Sequence, residues 1–548
     1  MPRTEASLSR PLDHWLAELL DRVDPARRRT PLPLPFLVCF GAAFVLTIWL
    51  LAANKYLPGQ DIPYHAHCSR VWLDGGKLGS PYANYEPGHA LEANTLMYTV
   101  AGLFSHVMGS FSAFRLVQAY YLLGLPLACL YALRDLDRSP WGSLLAFPLC
   151  YTEVFAAGFA NMTFAAPTFV LALVMYRRLL ERVTWQRGVA VSLLFIAVFL
   201  SHAQVYLWLG GLLVLYSLGV LAARLLRALH TPGEIEGLGV RAAAAIAAAL
   251  PSILLFARWY ARGYGRGRSV GALGNNMDFA SSLQWLPLPQ KFMAGALQAF
   301  TVTSSTYEVR FIIALWLLLG LAMAMARAAQ DRSPPLPELA VGASVISYYL
   351  LPDGVALQMV AVRQWYFVFW LLPLVIVPVS MRKGPFRSFT VALAIVLWTA
   401  SRMSLIASCF WHFTHEEMVG FDHIVAAAPR TPGLTVAFAA INAGSKHWHA
   451  NSMYHAYGFL DAQRSYDGPL EYSDANSVAA IRYTNGPPHP IRHLYGNPNW
   501  PADSVVWQYD LVLVYRWSPT PAQEKAAREH GSLVASAGDW QLWQRNKP

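Results

Sequence analysis

The residues best suited to chemistry follow the first apolar segment directly. Asp61 stands two residues before Pro63, and His65 lies four residues after Asp61. A carboxylate at a lipid–water boundary can accept a proton from an incoming hydroxyl group, and partial burial raises its pKa toward the range of a general base. His65 could hold Asp61 or share a divalent metal with it. The alternative is that Asp61 only caps a helix that begins at Pro63.

A second polar group lies further along the same loop. It consists of Tyr85, Glu86 and His89, and it is set among Pro81, Pro87 and Gly88, which favour an ordered turn. Aromatic faces stack on sugar rings, and sugar hydroxyl groups need both donors and acceptors. This group therefore predicts sugar binding. The alternative is an interfacial aromatic anchor with ordinary turn residues.

Arginines form the third candidate group. Arg262, Arg266 and Arg268 alternate with glycines after an apolar segment. Arginine bonds phosphate in a bidentate manner, and glycine allows the backbone to approach closely, so this run predicts contact with a lipid-linked phosphate. The alternative is a cationic loop that touches anionic headgroups.

Arg363 follows Leu351-Pro352-Asp353-Gly354 and could meet the same phosphate, or it could pair with Asp353 or Glu308. His202 lies between two apolar segments and is a further candidate for substrate binding. The alternative is that His202 is a structural residue whose polar atoms are hydrogen-bonded within the packed helices.

No residue pattern in the sequence singles out a metal centre. Its five cysteines lack metal-type spacing. His447 and His449 would share one face of a strand, but no accompanying carboxylate pattern supports a metal. Surface or interface positions are expected for these histidines and for His455, His412 and His415. No cofactor follows from the sequence, and a divalent metal is left open.

Composition indicates which elements must position these residues. The chain has 548 residues, of which 55% are hydrophobic and 14% charged, whereas soluble domains carry about 25% charged residues. The composition therefore predicts a membrane protein. The net charge of +10 does not indicate nucleic acid binding, because no basic stripe lies outside the membrane loops. Basic residues that set the orientation of the spans, and the attraction of such residues to anionic lipid, account for the net charge.

The expected fold is mostly α: a polytopic bundle of about eleven spans. The predicted spans are 35–54, 113–133, 139–156, 163–180, 188–202, 203–223, 241–260, 308–328, 336–351, 364–381 and 388–408. The apolar stretch 92–110 is predicted to lie along the interface or to re-enter, because counting it as a span would invert the positive-inside rule. The amino end is then cytoplasmic and the carboxyl end extracytoplasmic, in the inner membrane if the cell is bacterial.

Three domains are predicted. Residues 1–34 form a cytoplasmic amphipathic segment, and 35–408 form the transmembrane domain. This second domain includes a first outer loop (55–112) with interfacial helices and a long outer loop (261–307). Residues 409–548 form a small extracytoplasmic α/β domain. In it, strands are expected at 434–441, 510–516, 532–536 and 540–544, and a helix is expected between a Thr520 cap and Gly531.

This layout resembles the GT-C-type integral membrane glycosyltransferases. The resemblance rests on "GQDIPYHAH" after the first span, "SHAQVYLWLG" at 201–210, the Leu-Pro-Asp-Gly to Arg363 loop and the tail "SLVASAGDWQLWQR". It implies that Asp61 is the catalytic base or helps to hold a metal, and that the arginines contact a polyprenyl phosphate. The chain departs from many members in having one aspartate where they have an acidic pair.

The leading functional hypothesis is an inverting transfer of a sugar from a polyprenyl-phosphate donor on the extracytoplasmic face. The expected partners are this lipid-linked sugar, membrane lipid, and an acceptor that is a glycan, a lipid or a protein. Two alternatives remain: a transporter or flippase for a glycolipid or polymer, and a non-catalytic membrane assembly subunit. A transporter predicts charges inside the spans and an internal repeat.

Overall fold

The structure is a computed structural model. It describes residues 31–88, 90–228, 237–263, 283–328, 336–355, 358–359, 361–375, 385–467, 481–483 and 496–546. The predicted amphipathic helix at the amino end, His89, Arg266 and Arg268 lie outside the described residues.

The fold is mostly helical, as expected. The helices are α1 Leu34–Ala53, α2 Ile62–Asp74, α3 Leu96–Met108, α4 Ser110–Asp135, α5 Ala146–Leu149, α6 Glu153–Ala156, α7 Ala160–Glu181, α8 Trp185–Ser201, α9 Ala203–Ala228, α10 Leu238–Gly263, α11 Leu288–Ala296, α12 Tyr307–Ala328, α13 Leu336–Leu350, α14 Val362–Val375, α15 Pro385–His412, α16 Phe421–Ala427, α17 Tyr457–Arg464 and α18 Pro521–His530. Short 3₁₀ helices occupy Pro140–Leu145, Gln298–Phe300, Trp500–Ala502 and Val506–Gln508, and a π-helical turn occupies Phe413–Glu417.

Within the described ranges, six helical segments are long and apolar enough to cross a membrane. They are Leu34–Ala53, Ser110–Asp135, Ala160–Glu181, Ala203–Leu225, Leu238–Arg262 and Phe389–Glu417. Ten of the eleven predicted spans coincide with helices α1, α4, α7 to α10 and α12 to α15. The apolar helix α3 has 13 residues and a length of about 20 Å. It is shorter than a hydrocarbon core of about 30 Å, but α13 and α14, with 15 and 14 residues, are also short. The interfacial position of 92–110 therefore stays a prediction.

The predicted span 139–156 is wrong as a single helix. The chain forms a 3₁₀ helix at Pro140–Leu145, then α5 and α6. Pro140 and Pro148 cannot donate to a helical ladder, and Gly142 fits where a Cβ would meet the Pro373 carbonyl. Most of this segment is buried in the bundle, where neighbouring helices can satisfy an irregular backbone.

The carboxyl-terminal part contains the expected α/β elements. Its strands are β5 Val436–Ala440, β7 Leu511–Tyr515, β8 Gly531–Ala537 and β9 Trp540–Arg545, in the order β5-β7-β9-β8. β5 and β7 are parallel, and the other two pairs are antiparallel. Both faces of β5 and β7 are buried. One face joins the main core of the bundle, and the other packs on a cluster of tryptophans that includes Trp500 and Trp543.

The first loop and the carboxyl-terminal part are tied together. Strand β1, Tyr85–Pro87, pairs with β6, Ile481–Tyr483. Helix α2 packs against α17 so closely that a Cβ at Gly458 would clash with the Pro63 carbonyl. Three two-residue strands, β2 Leu283–Gln284, β3 Gly354–Val355 and β4 Gln358–Met359, form a separate small sheet. The α2–α17 contact is the one that builds the candidate site.

Candidate functional site

The backbone of Asp61 is held at the end of the bundle by the segment that precedes α7. The Gln60 N–H donates to the Ala156 carbonyl (2.8 Å), and the Asp61 N–H donates to the Ala157 carbonyl (3.2 Å). Gly158 has φ +80°, and a Cβ there would lie 2.5 Å from the Asp61 nitrogen. The irregular segment before α7 therefore fixes the backbone of Asp61, and glycine permits the close approach.

The side chain of Asp61 is buried without capping the helix. Asp61 occupies the N-cap position of α2, but its side chain forms no capping hydrogen bond. The residue is 7% exposed, and its Oδ1 has no hydrogen-bond partner. A buried carboxylate oxygen without a donor is costly unless another group fills the place. This geometry contradicts the alternative in which Asp61 serves only as a helix cap.

A histidine from the carboxyl-terminal part lies beside the Asp61 carboxylate. His455 is fully buried, and its Nε2 lies 3.4 Å from Asp61 Oδ1. Its ring also contacts Tyr64 and Tyr457. The sequence had indicated only a surface or interface histidine here. No motif connects residues this far apart along the chain, and the pairing arises from the packing of α17 on α2.

His65 takes a different partner from the one expected. Its Nδ1 lies 2.5 Å from the Tyr98 hydroxyl on α3. Burial lowers the pKa of His65 to about 4, against the opposing charge of Asp61. His65 is therefore neutral at pH 7, and either its N–H or its lone pair can bond a hydroxyl group.

The polar groups continue from His65 into the bundle. His202 interacts electrostatically with both His65 and Arg363. The Arg363 Nη1 donates to the side-chain oxygen of Gln204 (2.7 Å), and its guanidinium lies 4.9 Å from the Phe159 ring. Four predicted site residues, Asp61, His65, His202 and Arg363, thus interact electrostatically one with the next, and we call them the polar cluster.

The alternative prediction, that Arg363 pairs with Asp353 or Glu308, is contradicted by the partners of these two acids. Glu308 bonds to Arg402, and Asp353 lies 3.4 Å from Lys291. Arg363 itself bonds to Gln204. Glu153, at the start of α6, interacts electrostatically with Tyr366 and has an Oε2 atom without a hydrogen-bond partner.

Tyr85 and Glu86 lie outside this cluster. Tyr85 is buried, and its hydroxyl donates to Asp467. Glu86 is exposed on β1 and stands opposite Arg482 in the strand register. Burial raises the pKa of Asp467 to about 6, although the Tyr85 bond opposes this. These residues join the first loop to the carboxyl-terminal part, and their sugar-binding role stays a prediction.

Arg262 lies at the same end of the bundle as His202. It is exposed in the last turn of α10, one turn beyond Trp259. The Trp259 ring packs against Phe199 of α8 at 6.2 Å, and Phe199 precedes His202 by three residues. Arg262 is the only arginine of the glycine-rich run that lies among the described residues.

An apolar cavity of about 850 Å³ opens between α9 and α10. Tyr176 and Phe195 contribute to its wall from α7 and α8, and Tyr206 and Phe256 contribute from α9 and α10. The Tyr206 N–H donates to the His202 carbonyl (3.0 Å). One end of this apolar cavity is therefore one helical turn from the polar cluster.

Metal ligands converge elsewhere in the described part of the chain. Of the His, Cys, Asp and Glu side chains described, one group, His412, Glu416 and His447, brings its ligand atoms within 4.8 Å of one another. The expectation that His65 shares a metal with Asp61 has no support in the contacts of His65, whose Nδ1 is engaged with Tyr98.

The fold resembles that of solved membrane proteins. The crystal structure of ArnT from Cupriavidus metallidurans bound to undecaprenyl phosphate matches with a TM-score of 0.51 and 12% sequence identity, over 92% of this chain and 97% of that chain. The apo crystal structure of the same ArnT matches with a TM-score of 0.55 and 11% identity, over the same shares. No protein-family model matches the chain, and no curated protein matches its sequence. The mostly helical membrane fold expected from the sequence is thus confirmed, and it is shared with this ArnT.

Proposed function

We propose that this protein transfers a sugar from a polyprenyl-phosphate donor to a hydroxyl-bearing acceptor, at the end of the bundle that carries the carboxyl-terminal part. We place this end on the extracytoplasmic face because basic residues cluster in loops at the other end, among them Arg134, Arg138, Arg182 and Arg187. The observation that carries the proposal is the junction of an apolar cavity, an arginine and a buried carboxylate. The fold adds support, because ArnT of the same fold was crystallised with undecaprenyl phosphate.

The cavity between α9 and α10 suits a polyprenyl chain. Its lining is apolar, and large parts of both helices are exposed, so a lipid can enter sideways from the bilayer. Arg363 lies near the end where Tyr206 meets His202. A lipid whose tail fills the cavity would place its phosphate beside this guanidinium, which suits phosphate geometry. Arg262 offers a second cation at the same end.

The chemistry then follows from Asp61. Its Oδ1 accepts the proton of the acceptor hydroxyl as the hydroxyl oxygen bonds to the anomeric carbon of the donor. The bond between that carbon and the phosphate oxygen breaks, and polyprenyl phosphate leaves with the electron pair. A single displacement from the opposite face inverts the anomeric carbon. Arg363 stabilises the charge on the leaving phosphate.

His455 and His65 hold the carboxylate and the acceptor. His455 Nε2, 3.4 Å from Asp61 Oδ1, can donate to the carboxylate and fix its orientation. Neutral His65, anchored by the Tyr98 hydroxyl at 2.5 Å, leaves its Nε2 to bond an incoming hydroxyl group. Both are positioning residues in this scheme, because the proton goes to Asp61.

The decisive experiment measures turnover by the full-length protein in detergent. The substrates are a panel of polyprenyl-phosphate-linked sugars with glycan, lipid or peptide acceptors that carry a free hydroxyl group, and the readout is release of polyprenyl phosphate. Asp61→Asn should lower turnover by roughly 10²–10⁴-fold, the usual contribution of a general base. The matched control is Asp74→Asn at the other end of α2, where Asp74 bonds only to surface cations.

A binding measurement isolates the phosphate step. Arg363→Gln should weaken binding of polyprenyl phosphate at least tenfold, and Arg528→Gln, an exposed arginine on α18, should leave it unchanged. Turnover that is equal in wild type and Asp61→Asn excludes Asp61 as the base. Movement of intact donor across liposomes without sugar transfer would instead support the transporter alternative.

A further inference from the structure

A second cluster of ligand-type side chains lies where the last long helix meets the carboxyl-terminal part. His412 ends α15, and Glu416 lies in the π-helical turn that follows. The His412 Nδ1 is 2.5 Å from Glu416 Oε1, and the His447 Nε2 is 3.0 Å from Glu416 Oε2. The two histidine rings are parallel within 15°, with centroids 4.6 Å apart. This cluster is separate from the polar cluster around Asp61.

The backbone around all three side chains is held by other contacts. Glu417, the buried neighbour of Glu416, accepts hydrogen bonds from the Ser445 hydroxyl (2.8 Å) and the Lys446 N–H (2.9 Å). The Ser304 N–H donates to the His447 carbonyl (2.9 Å). The Trp540 indole N–H donates to the Glu417 carbonyl (3.0 Å). The ligand atoms are therefore positioned by the fold and need little rearrangement to act together.

We propose that His412, Glu416 and His447 form a binding site for a divalent transition-metal ion of the Zn²⁺ class. Two imidazoles and one carboxylate are a ligand set that Zn²⁺ takes, with a further position open to water. The ligand atoms lie within 4.8 Å of one another, a spread that small side-chain rotations reduce to bonds of about 2.1 Å around one ion. The side chains are 41%, 44% and 24% exposed, so an ion can reach them from water.

The metal would link two parts of the chain. His412 and Glu416 belong to the end of a bundle helix, whereas His447 belongs to the segment after β5. This segment pairs with residues 302–304, through a bond from the His449 N–H to the Val302 carbonyl (3.0 Å), and it leads to His455. A bound ion would therefore stabilise the attachment of the carboxyl-terminal part to the bundle. This inference does not depend on the proposed transferase activity.

The test uses the untagged full-length protein in detergent, stripped of metal by a chelator. Zn²⁺ binding is measured by calorimetry, and Co²⁺ binding is measured by its visible absorption, which reports ligand geometry. One ion per chain is expected, with affinity falling at low pH because the ligating nitrogens must be free of protons. Glu416→Gln and His447→Asn should each weaken Zn²⁺ binding at least tenfold.

The matched control is His415→Asn. His415 is exposed beside the cluster, but its Nδ1 faces the Trp411 carbonyl at 2.8 Å, so its loss should leave binding unchanged. Zn²⁺ should raise the thermal unfolding midpoint of wild type and His415→Asn, but not that of Glu416→Gln. Because Glu416 is exposed, Glu416→Gln should fold normally, and circular dichroism checks this. Equal Zn²⁺ affinity in Glu416→Gln and His415→Asn, or no binding by wild type, would overturn the proposal.

Discussion

Two buried aspartates at opposite ends of α7 differ in how their carboxylates are satisfied. Asp135 Oδ2 accepts from Arg177 Nη2 (2.5 Å), and its Oδ1 accepts from Arg178. Asp61 lies beside the start of α7. Its Oδ1 is 3.4 Å from His455 Nε2 and has no hydrogen-bond donor. A carboxylate saturated by two cations can only hold structure, whereas an oxygen left open can accept a proton from a ligand. The comparison separates a structural acid from a chemical one.

The largest expected effect tests the structural side. Asp135→Asn leaves the buried Arg178 without its counter-charge and leaves the buried Arg177 with only the half-exposed Glu181, and breaking such a buried pair costs about 3–5 kcal/mol of unfolding free energy. Chemical or thermal unfolding in detergent measures this loss. Asp61→Asn is the matched control and should change the unfolding free energy by less than about 1 kcal/mol, because it removes no salt-bridged cation. Equal losses in the two variants would contradict the distinction.

A third buried acid lies between these extremes and predicts a pH effect. Asp467 has a phenol donor, Tyr85, and burial raises its pKa to about 6. The folded state then holds the proton more tightly than the unfolded state. The associated stability is fully present below pH ~4 and is lost as pH rises through ~6, with a total of about 3 kcal/mol.

The measurement is the unfolding free energy of wild type and Asp467→Asn between pH 4 and pH 7. The difference between the two should change steeply across this window, because the variant carries no titrating carboxyl group. Asp539→Asn is the control, since this exposed carboxylate bonds to Arg516 at the surface. If the unfolding free energy of wild type changes with pH in parallel with that of Asp467→Asn, the pKa of Asp467 is not raised by folding and Asp467 does not belong in this comparison.

The backbone that presents Asp61 gives a smaller effect. Gly158→Ala must adopt φ +80° and would bring a Cβ to 2.5 Å from the Asp61 nitrogen. The expected loss is about 1–3 kcal/mol of stability, with turnover reduced because Asp61 moves. Gly188→Ala is the matched control, because no atom lies within 4 Å of a Cβ there and alanine favours the helix by up to about 1 kcal/mol. Similar results for the two glycines would mean that Asp61 is not held by this contact.

Local patterns predicted the carboxyl-terminal elements well. The strands at 436–440, 511–515, 531–537 and 540–545 lie where alternation and turn residues placed them, because each signal is contained in a few neighbouring residues. The positions of ten apolar helices followed from apolar length for the same reason. The broken segment 140–156 did not follow, because its irregular backbone is stabilised by burial among other helices.

The candidate site was predictable only in part. Asp61, His65, His202 and Arg363 stood out because polar residues are rare beside apolar segments. The partners that decide their roles did not stand out, because His455, Tyr98 and Gln204 reach them through tertiary packing. The same reason hid the cluster at Glu416, whose two histidines are 35 residues apart along the chain (447 − 412).

The smallest expected effect sets a baseline outside both acid sites. Thr520 caps α18 through a capping box with Gln523, at the exposed end of the helix. Thr520→Ala should cost about 1 kcal/mol of unfolding free energy, because water replaces part of the lost bond. Polyprenyl-phosphate binding and sugar transfer should stay at wild-type levels, since α18 contacts neither Asp61 nor Arg363 through any hydrogen bond of the described residues. A loss of turnover in Thr520→Ala would mean that general destabilisation alone lowers activity. The losses of turnover in Asp61→Asn and Gly158→Ala would then count as evidence for an open carboxylate only where they exceed the loss in Thr520→Ala.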